Sequence, residues 1–285
     1  MEEAVKEKGE ERPKAWEALP SVPNPSLAFL GLSGTRKEAE KAASAFSCRA
    51  FYVEEGEGKE QEGEGGFSLS SLSGGGQVIS LKKPKEAPLS HLLFPLLPEE
   101  ASLAVFDPGR VEIKGELYSM SSCYITDLGS REVLKNFSLL KQAGKKAIDL
   151  SWIKSEQWRE RAKASLLSMP PSFFEIETGS LDALALILAG WGREEFGLPA
   201  RFIQAPSYSS SVRSLAFGGP GWQRSVKEAD AGKAFEIGDG ERTFKTPKRV
   251  LDRGDLLIRQ MELLPPDPLY FKCLEFEAQG AKDVG

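Results

Sequence analysis

Apolar residues in this chain fall in short blocks, separated by charged, glycine-rich or proline-rich stretches. The blocks alternate between strand-like and helix-like spacing. Residues 26–32 (SLAFLGL) form a run of strand length bounded by prolines and by Ser33-Gly34. Residues 35–46 (TRKEAEKAASAF) suit a helix, with Thr35 as N-cap and Glu38 as its capping-box partner. Residues 49–53 (RAFYV) read as the next strand, and strand–turn–helix–strand implies a sheet with helical crossovers. Residues 77–81 and 101–106 are further short strands, with the proline-broken apolar run 89–97 between them.

The central third repeats the pattern more clearly. Residues 122–127 (SCYITD) predict a strand ending at Leu128-Gly129-Ser130. Val133, Phe137 and Leu140 then recur at helical spacing over 131–143, with Gly144 as the stop. Residues 146–150 (KAIDL) are the following strand. Trp158, Ala162, Leu166 and Met169 mark one face of a second helix, ended by Pro170-Pro171. Residues 172–177 predict a strand. Leucine and alanine make 182–189 a helix, although so continuous an apolar run also suits a buried strand. Beyond Gly192 the spacing predicts strands at 200–204 and 214–217, a loop at 218–221 and a weak helix over 224–234. A hairpin over 235–244, a short helix over 256–263 and a last strand over 269–276 follow.

These elements predict an α/β protein: a mostly parallel sheet with helices on both faces, Rossmann-like, with an irregular or β-rich C-terminal part. Residues 1–25, charged and punctuated by proline, read as a flexible leader. Residues 26–120 form an N-terminal α/β part carrying a disordered acidic insertion over 54–76. Residues 121–285 form a Rossmann-like part with a less regular C-terminal region. No period of 20–50 residues recurs, which argues against a solenoid or propeller.

Composition narrows the function classes. The 285 residues suffice for one large domain or two modest ones. Thirty-seven basic against 42 acidic residues give a net charge of −5, without the general pull on phosphate backbones that nucleic-acid binders need. The longest apolar segments, near 89–97 and 181–189, fall short of the ~20 residues of a membrane helix, and residues 1–14 lack a signal peptide's apolar stretch. Cys48, Cys123 and Cys273 lie too far apart for a disulfide framework or a structural zinc site. The expectation is a cytoplasmic, soluble protein that binds a small molecule, with no membrane or nucleic acid, and with a protein partner possible.

Two places could carry chemistry. The turn from Gly31 to Lys37 joins a strand to a helix, where free N–H groups attract anions. Arg36 and Glu38 break the phosphate-loop pattern there, so a tight turn before a capped helix is the expected reading. The second place is the strand-end pair Asp127 and Asp149, with Gly129 and Ser130 in the turn between. Asp149 stands about 20 residues beyond Gly129, the spacing that sets an acid on ribose hydroxyls.

In arrangement, residues 122–150 resemble the opening unit of class I S-adenosylmethionine-dependent methyltransferases and the middle of ribokinase-type sugar kinases. Arg131 and Val133 stand where the first family has glycines, and Leu251-Asp252-Arg253-Gly254-Asp255 stands in for the second family's Gly-x-Gly-Asp. The expected cofactor is S-adenosylmethionine or a nucleotide held by Asp127, Gly129, Ser130 and Asp149, with transfer chemistry and no metal. The alternative is a non-catalytic interaction or scaffold subunit with a degenerate cofactor site. His91, the only histidine, lies among apolar residues and reads as partly buried and structural. The basic stretch 245–253 (KTPKRVLDR) reads as a solvated face.

Overall fold

The computed structural model describes residues 23–24, 26–32, 34–54, 67–82, 88–98, 100–109, 111–166, 170–205, 211–264 and 267–275. The leader, apart from Pro23 and Asn24, and the acidic stretch 55–66 lie outside the described residues. The protein is α/β, built on two sheets.

The first sheet begins with β1 (Leu27–Gly31), α1 (Arg36–Phe46) and β2 (Arg49–Glu54). Ala28, Phe29 and Leu30 are wholly buried, as a strand covered on both faces requires. Ala39, Ala42 and Ala43 form the buried stripe of α1, and their small side chains let the helix lie close to the sheet. That closeness has a cost at Gly76, where a Cβ would stand 2.2 Å from the Ala43 carbonyl oxygen. β3 (Phe67–Ser71) pairs antiparallel with β4 (Gln77–Lys82), so the later part of the expected disordered insertion is an edge hairpin. A short helix α2 (Leu89–Leu93), β5 (Ser102–Phe106) and a second short helix α3 (Glu116–Met120) follow. The sheet closes with β6 (Cys123–Thr126), α4 (Val133–Ala143) and β7 (Ala147–Asp149).

The strand order is β3-β4-β2-β1-β5-β6-β7, and every pairing except β3–β4 is parallel. Counted along the parallel strands this is third, second, first, fourth, fifth, sixth. The winding direction therefore reverses between β1 and β5.

The chain changes sheets through α5 (Ser151–Ser165). The first sheet draws strands from both sides of residue 120, and the second sheet begins after α5. β8 (Phe173–Thr178), α6 (Ala183–Phe196) and β9 (Ala200–Gln204) make a parallel crossover. β10 (Val212–Gly219), β11 (Trp222–Ala229), β12 (Ala234–Gly238) and β13 (Thr243–Pro247) complete a six-stranded, otherwise antiparallel sheet. Two last helices return to the body: α7 (Arg253–Glu262) against α1, and α8 (Pro268–Leu274) against α6. Gly190 permits the second contact, since a Cβ there would stand 2.2 Å from the Cys273 carbonyl oxygen.

Three elements depart from the sequence expectation, each for a local reason. The weak helix over 224–234 is strand β11, whose alternation is hidden because Arg224 and Glu228 share the inward face with Val226. Glu228 is neutralised there by Lys248. The last strand is helix α8: Asp267 caps it by accepting from Leu269 N–H at 2.8 Å, and Pro268 takes the first turn. Its buried Tyr270, Cys273 and Leu274 fall at helical spacing. The capping box of α1 is also absent. Thr35 Oγ1 turns back to donate to the Leu32 carbonyl, and Glu38 serves another partner.

Candidate functional site

The winding reverses between β1 and β5, and open α/β sheets take ligands beyond the carboxyl ends of the strands at such a reversal. Leu32 N–H donates to Phe106 O at 3.2 Å and joins the two strand ends. The turn after β1 is tightly determined. Gly31 is tightly placed, because a Cβ would come within 2.3 Å of Thr35 Oγ1 and force that side chain to move. Gly34 has φ +76°, a conformation that disfavours other residues. No side chain caps α1, which leaves first-turn N–H groups for water or a ligand. On the β5 side Asp107 is buried and accepts from Tyr124 Oη at 2.6 Å, and Gly109 turns the chain at φ +88°.

Arg253, the first residue of α7, reaches this turn from the far end of the sequence. Its Nε donates to Glu38 Oε1 at 2.7 Å and its Nη2 to the Gly34 carbonyl at 3.3 Å. The guanidinium carbon stands 5.8 Å from the Phe106 ring centroid. Arg253 thus spans the glycine turn and the end of β5 while its side chain stays 39% exposed. A second clasp holds the two helices: Lys41 pairs with Asp252 at 2.7 Å and Asp255 at 2.8 Å.

The sequence-derived residues sit elsewhere along the sheet, at β6 and β7. Asp149 is wholly buried. Its Oδ2 accepts from Leu128 N–H at 2.7 Å and its Oδ1 from Ser151 N–H at 2.8 Å. Its own N–H donates to Tyr270 Oη at 3.0 Å. Burial, with the neighbouring Asp127 charge adding to it, pushes the carboxyl up to about 6. Both oxygens are engaged by the backbone, and Asp149 ties the β6 turn to the start of α5. Asp127 lies beside it, partly buried, paired with Lys154. Gly129 and Ser130 are exposed, and nothing lies within 4 Å of a Cβ at Gly129. The structure brings the two aspartates near one another, Asp149 wholly buried and Asp127 partly so.

Lys154 also faces Asp182, whose carboxyl burial pushes up and the lysine charge opposes. Asp182 caps α6 through Ala185 N–H at 2.9 Å. His91 is exposed, because α2 buries Leu89, Ser90 and Leu93 and turns it outward. Two features of the β1 turn escaped the sequence. β2 ends 20 residues beyond Gly34, so the spacing that the sequence offers from Gly129 recurs from the first turn to the next strand end. Arg253 reads in the sequence only as part of a basic, solvated stretch, and its place at the turn comes from a contact with Glu38, 215 positions away.

Among the described residues, no group of three or more His, Cys, Asp or Glu side chains gathers as a metal site would require. No described helix is long and apolar enough to cross a membrane. No family model matches the chain, and no curated protein matches it. Solved structures do resemble it in fold. An oxidoreductase from Sinorhizobium meliloti aligns with 90% of this chain and 88% of its own, at 10% identity and TM-score 0.43. An aldose–aldose oxidoreductase from Caulobacter crescentus, in complex with glycerol, aligns over 90% and 97%, at 11% identity and TM-score 0.42. The transcriptional regulator Gal80p from Kluyveromyces lactis aligns over 96% and 91%, at 11% identity and TM-score 0.42.

Proposed function

We propose that the protein binds a nucleotide-type ligand in a crevice between β1 and β5. The phosphates lie over the Gly31–Thr35 turn with Arg253 as their counter-charge, and the ribose lies toward the end of β2. The observation that carries this reading is the strand order, which reverses beside the turn where Thr35 crowds Gly31 and Gly34 takes a left-handed φ of +76°. The ligand's phosphate takes the place of Glu38 as the partner of the Arg253 fork. Asp127, Gly129 and Ser130 then border the site as rim residues. S-adenosylmethionine-dependent transfer at Asp149 has no support, since that carboxylate serves the backbone. The proposed setting is cytoplasmic, in keeping with three buried, unpaired cysteines. Thermal-shift titration with NAD, NADP, ATP and S-adenosylmethionine tests the reading, since a true ligand raises the melting temperature by mass action.

One observation favours a non-catalytic scaffold as the second reading. Ser33 and Arg36 depart from the glycine fingerprint, and Glu38 sets a carboxylate in the turn of α1 that a phosphate would approach. On that reading the Glu38–Arg253 pair permanently closes the crevice. The protein would then ignore the whole nucleotide panel and co-purify stoichiometrically with another chain.

A further inference from the structure

A cavity of about 350 Å³ lies between α5, α7 and the segment that follows β13, among side chains the crevice does not use. Its wall holds four cations, Arg161, Lys248, Arg249 and Arg259, against the carboxylates of Glu156 and Glu160. Two of the cations are already neutralised. Arg259 grips Glu156 through two hydrogen bonds of 2.8 and 2.7 Å, and Lys248 pairs with Glu228. The other two are not: among the described residues neither Arg161 nor Arg249 has an ion-pair partner. Arg161 Nε is shielded from solvent and has no hydrogen-bond acceptor among those residues. That N–H lies behind the wall and does not itself mark a ligand's position; what the cavity receives from Arg161 is a positive charge that no described carboxylate offsets.

The backbone at this site is fixed in advance. The Gln157 amide donates to Arg249 O at 2.8 Å and accepts from Arg249 N–H at 2.7 Å, so α5 clamps the strand exit. We infer that this cavity is a binding site for a small phosphate monoester, its dianion shared between the Arg161 and Arg249 guanidinium groups. Planar forks suit the oxygens of a phosphate, and the two unpaired guanidinium groups outnumber the one unpaired carboxylate on the wall, Glu160. The volume exceeds that of bare phosphate and suits a phosphorylated metabolite of a few carbons. The Glu160 carboxylate on the wall and the net charge of −5 oppose long polyanions.

Calorimetric titration of the full chain with glycerol 3-phosphate, with glycerol as the uncharged control, decides the matter. The expected result is saturable binding of the phosphate ester alone, weakened at least about tenfold by Arg161→Gln and by Arg249→Gln. Arg249 is exposed, so Arg249→Gln keeps the test intact even where Arg161→Gln impairs folding. Three results overturn the inference: no saturable binding up to about 10 mM ester, equal affinity in Arg249→Gln, or loss of binding in Arg253→Gln in place of Arg249→Gln. The last would assign the ester to the crevice. Binding of an acidic peptide that the ester does not displace would reassign the surface to a protein partner.

Discussion

Arg253 and Glu38, 215 positions apart in the chain, meet at 2.7 Å beside the turn between β1 and α1. If a ligand phosphate replaces Glu38 as the arginine's partner, weakening the internal pair favours the ligand. Glu38→Gln is therefore expected to tighten binding of the responding nucleotide several-fold, and Arg253→Gln to weaken it at least about tenfold. Calorimetric dissociation constants for the three proteins check this. Equal constants would mean that the arginine only fastens α7 to α1.

Asp149 is expected to make stability depend on pH with an unusual sign. Its folded pKa is raised to about 6 by burial, above that of the unfolded chain. Between about pH 4 and 6 the folded state holds a proton that the unfolded state has lost, so this group's contribution falls as pH rises, by up to about 3 kcal/mol. Urea midpoints of wild type and Asp149→Asn across that window give the comparison. The wild-type advantage should shrink toward pH 6, and an advantage that grows with pH would contradict the assignment.

Two glycines should respond oppositely to alanine. Gly190 backs directly onto the α8 backbone, so Gly190→Ala is expected to cost about 1–3 kcal/mol by forcing the helices apart. Gly129 has open space around it, and Gly129→Ala should stay within about 0.5 kcal/mol of wild type. Chemical denaturation of both variants is sufficient.

Gln260 is wholly buried on α7, and neither of its amide atoms has a partner among the described residues. Replacing an unsatisfied buried amide by an apolar side chain of similar size removes a desolvation penalty. Gln260→Met is expected to raise stability by about 1 kcal/mol. A loss of stability would show that the amide is satisfied after all.

Much of the fold was legible because its signals are local. The parallel strands are continuous apolar runs, and the helices between them carry their own periodicity. Where a signal was split between faces it failed: β11 puts Arg224 and Glu228 inward, and α8 looked like a strand until Asp267 and Pro268 are read as its start. The site was legible only in part. The glycine turn was visible, but its importance depends on strand order, which no local pattern reveals. The spacing from Gly129 to Asp149 serves equally for a carboxylate tying one turn to the next. Arg253 is placed by the packing of α7 on α1, a long-range contact that no neighbouring residue announces.

The central claim is that the glycine turn and Arg253 together receive a nucleotide phosphate. The direct measurement, with phosphate-free S-adenosylmethionine as the control, is a thermal-shift titration of wild type and Arg253→Gln with the three phosphate-bearing ligands named above, NAD, NADP and ATP. The account expects at least one to raise the wild-type melting temperature in a saturable manner, with that rise largely lost in Arg253→Gln. A wild-type protein that responds to none of them, or a response that survives the substitution undiminished, would contradict it.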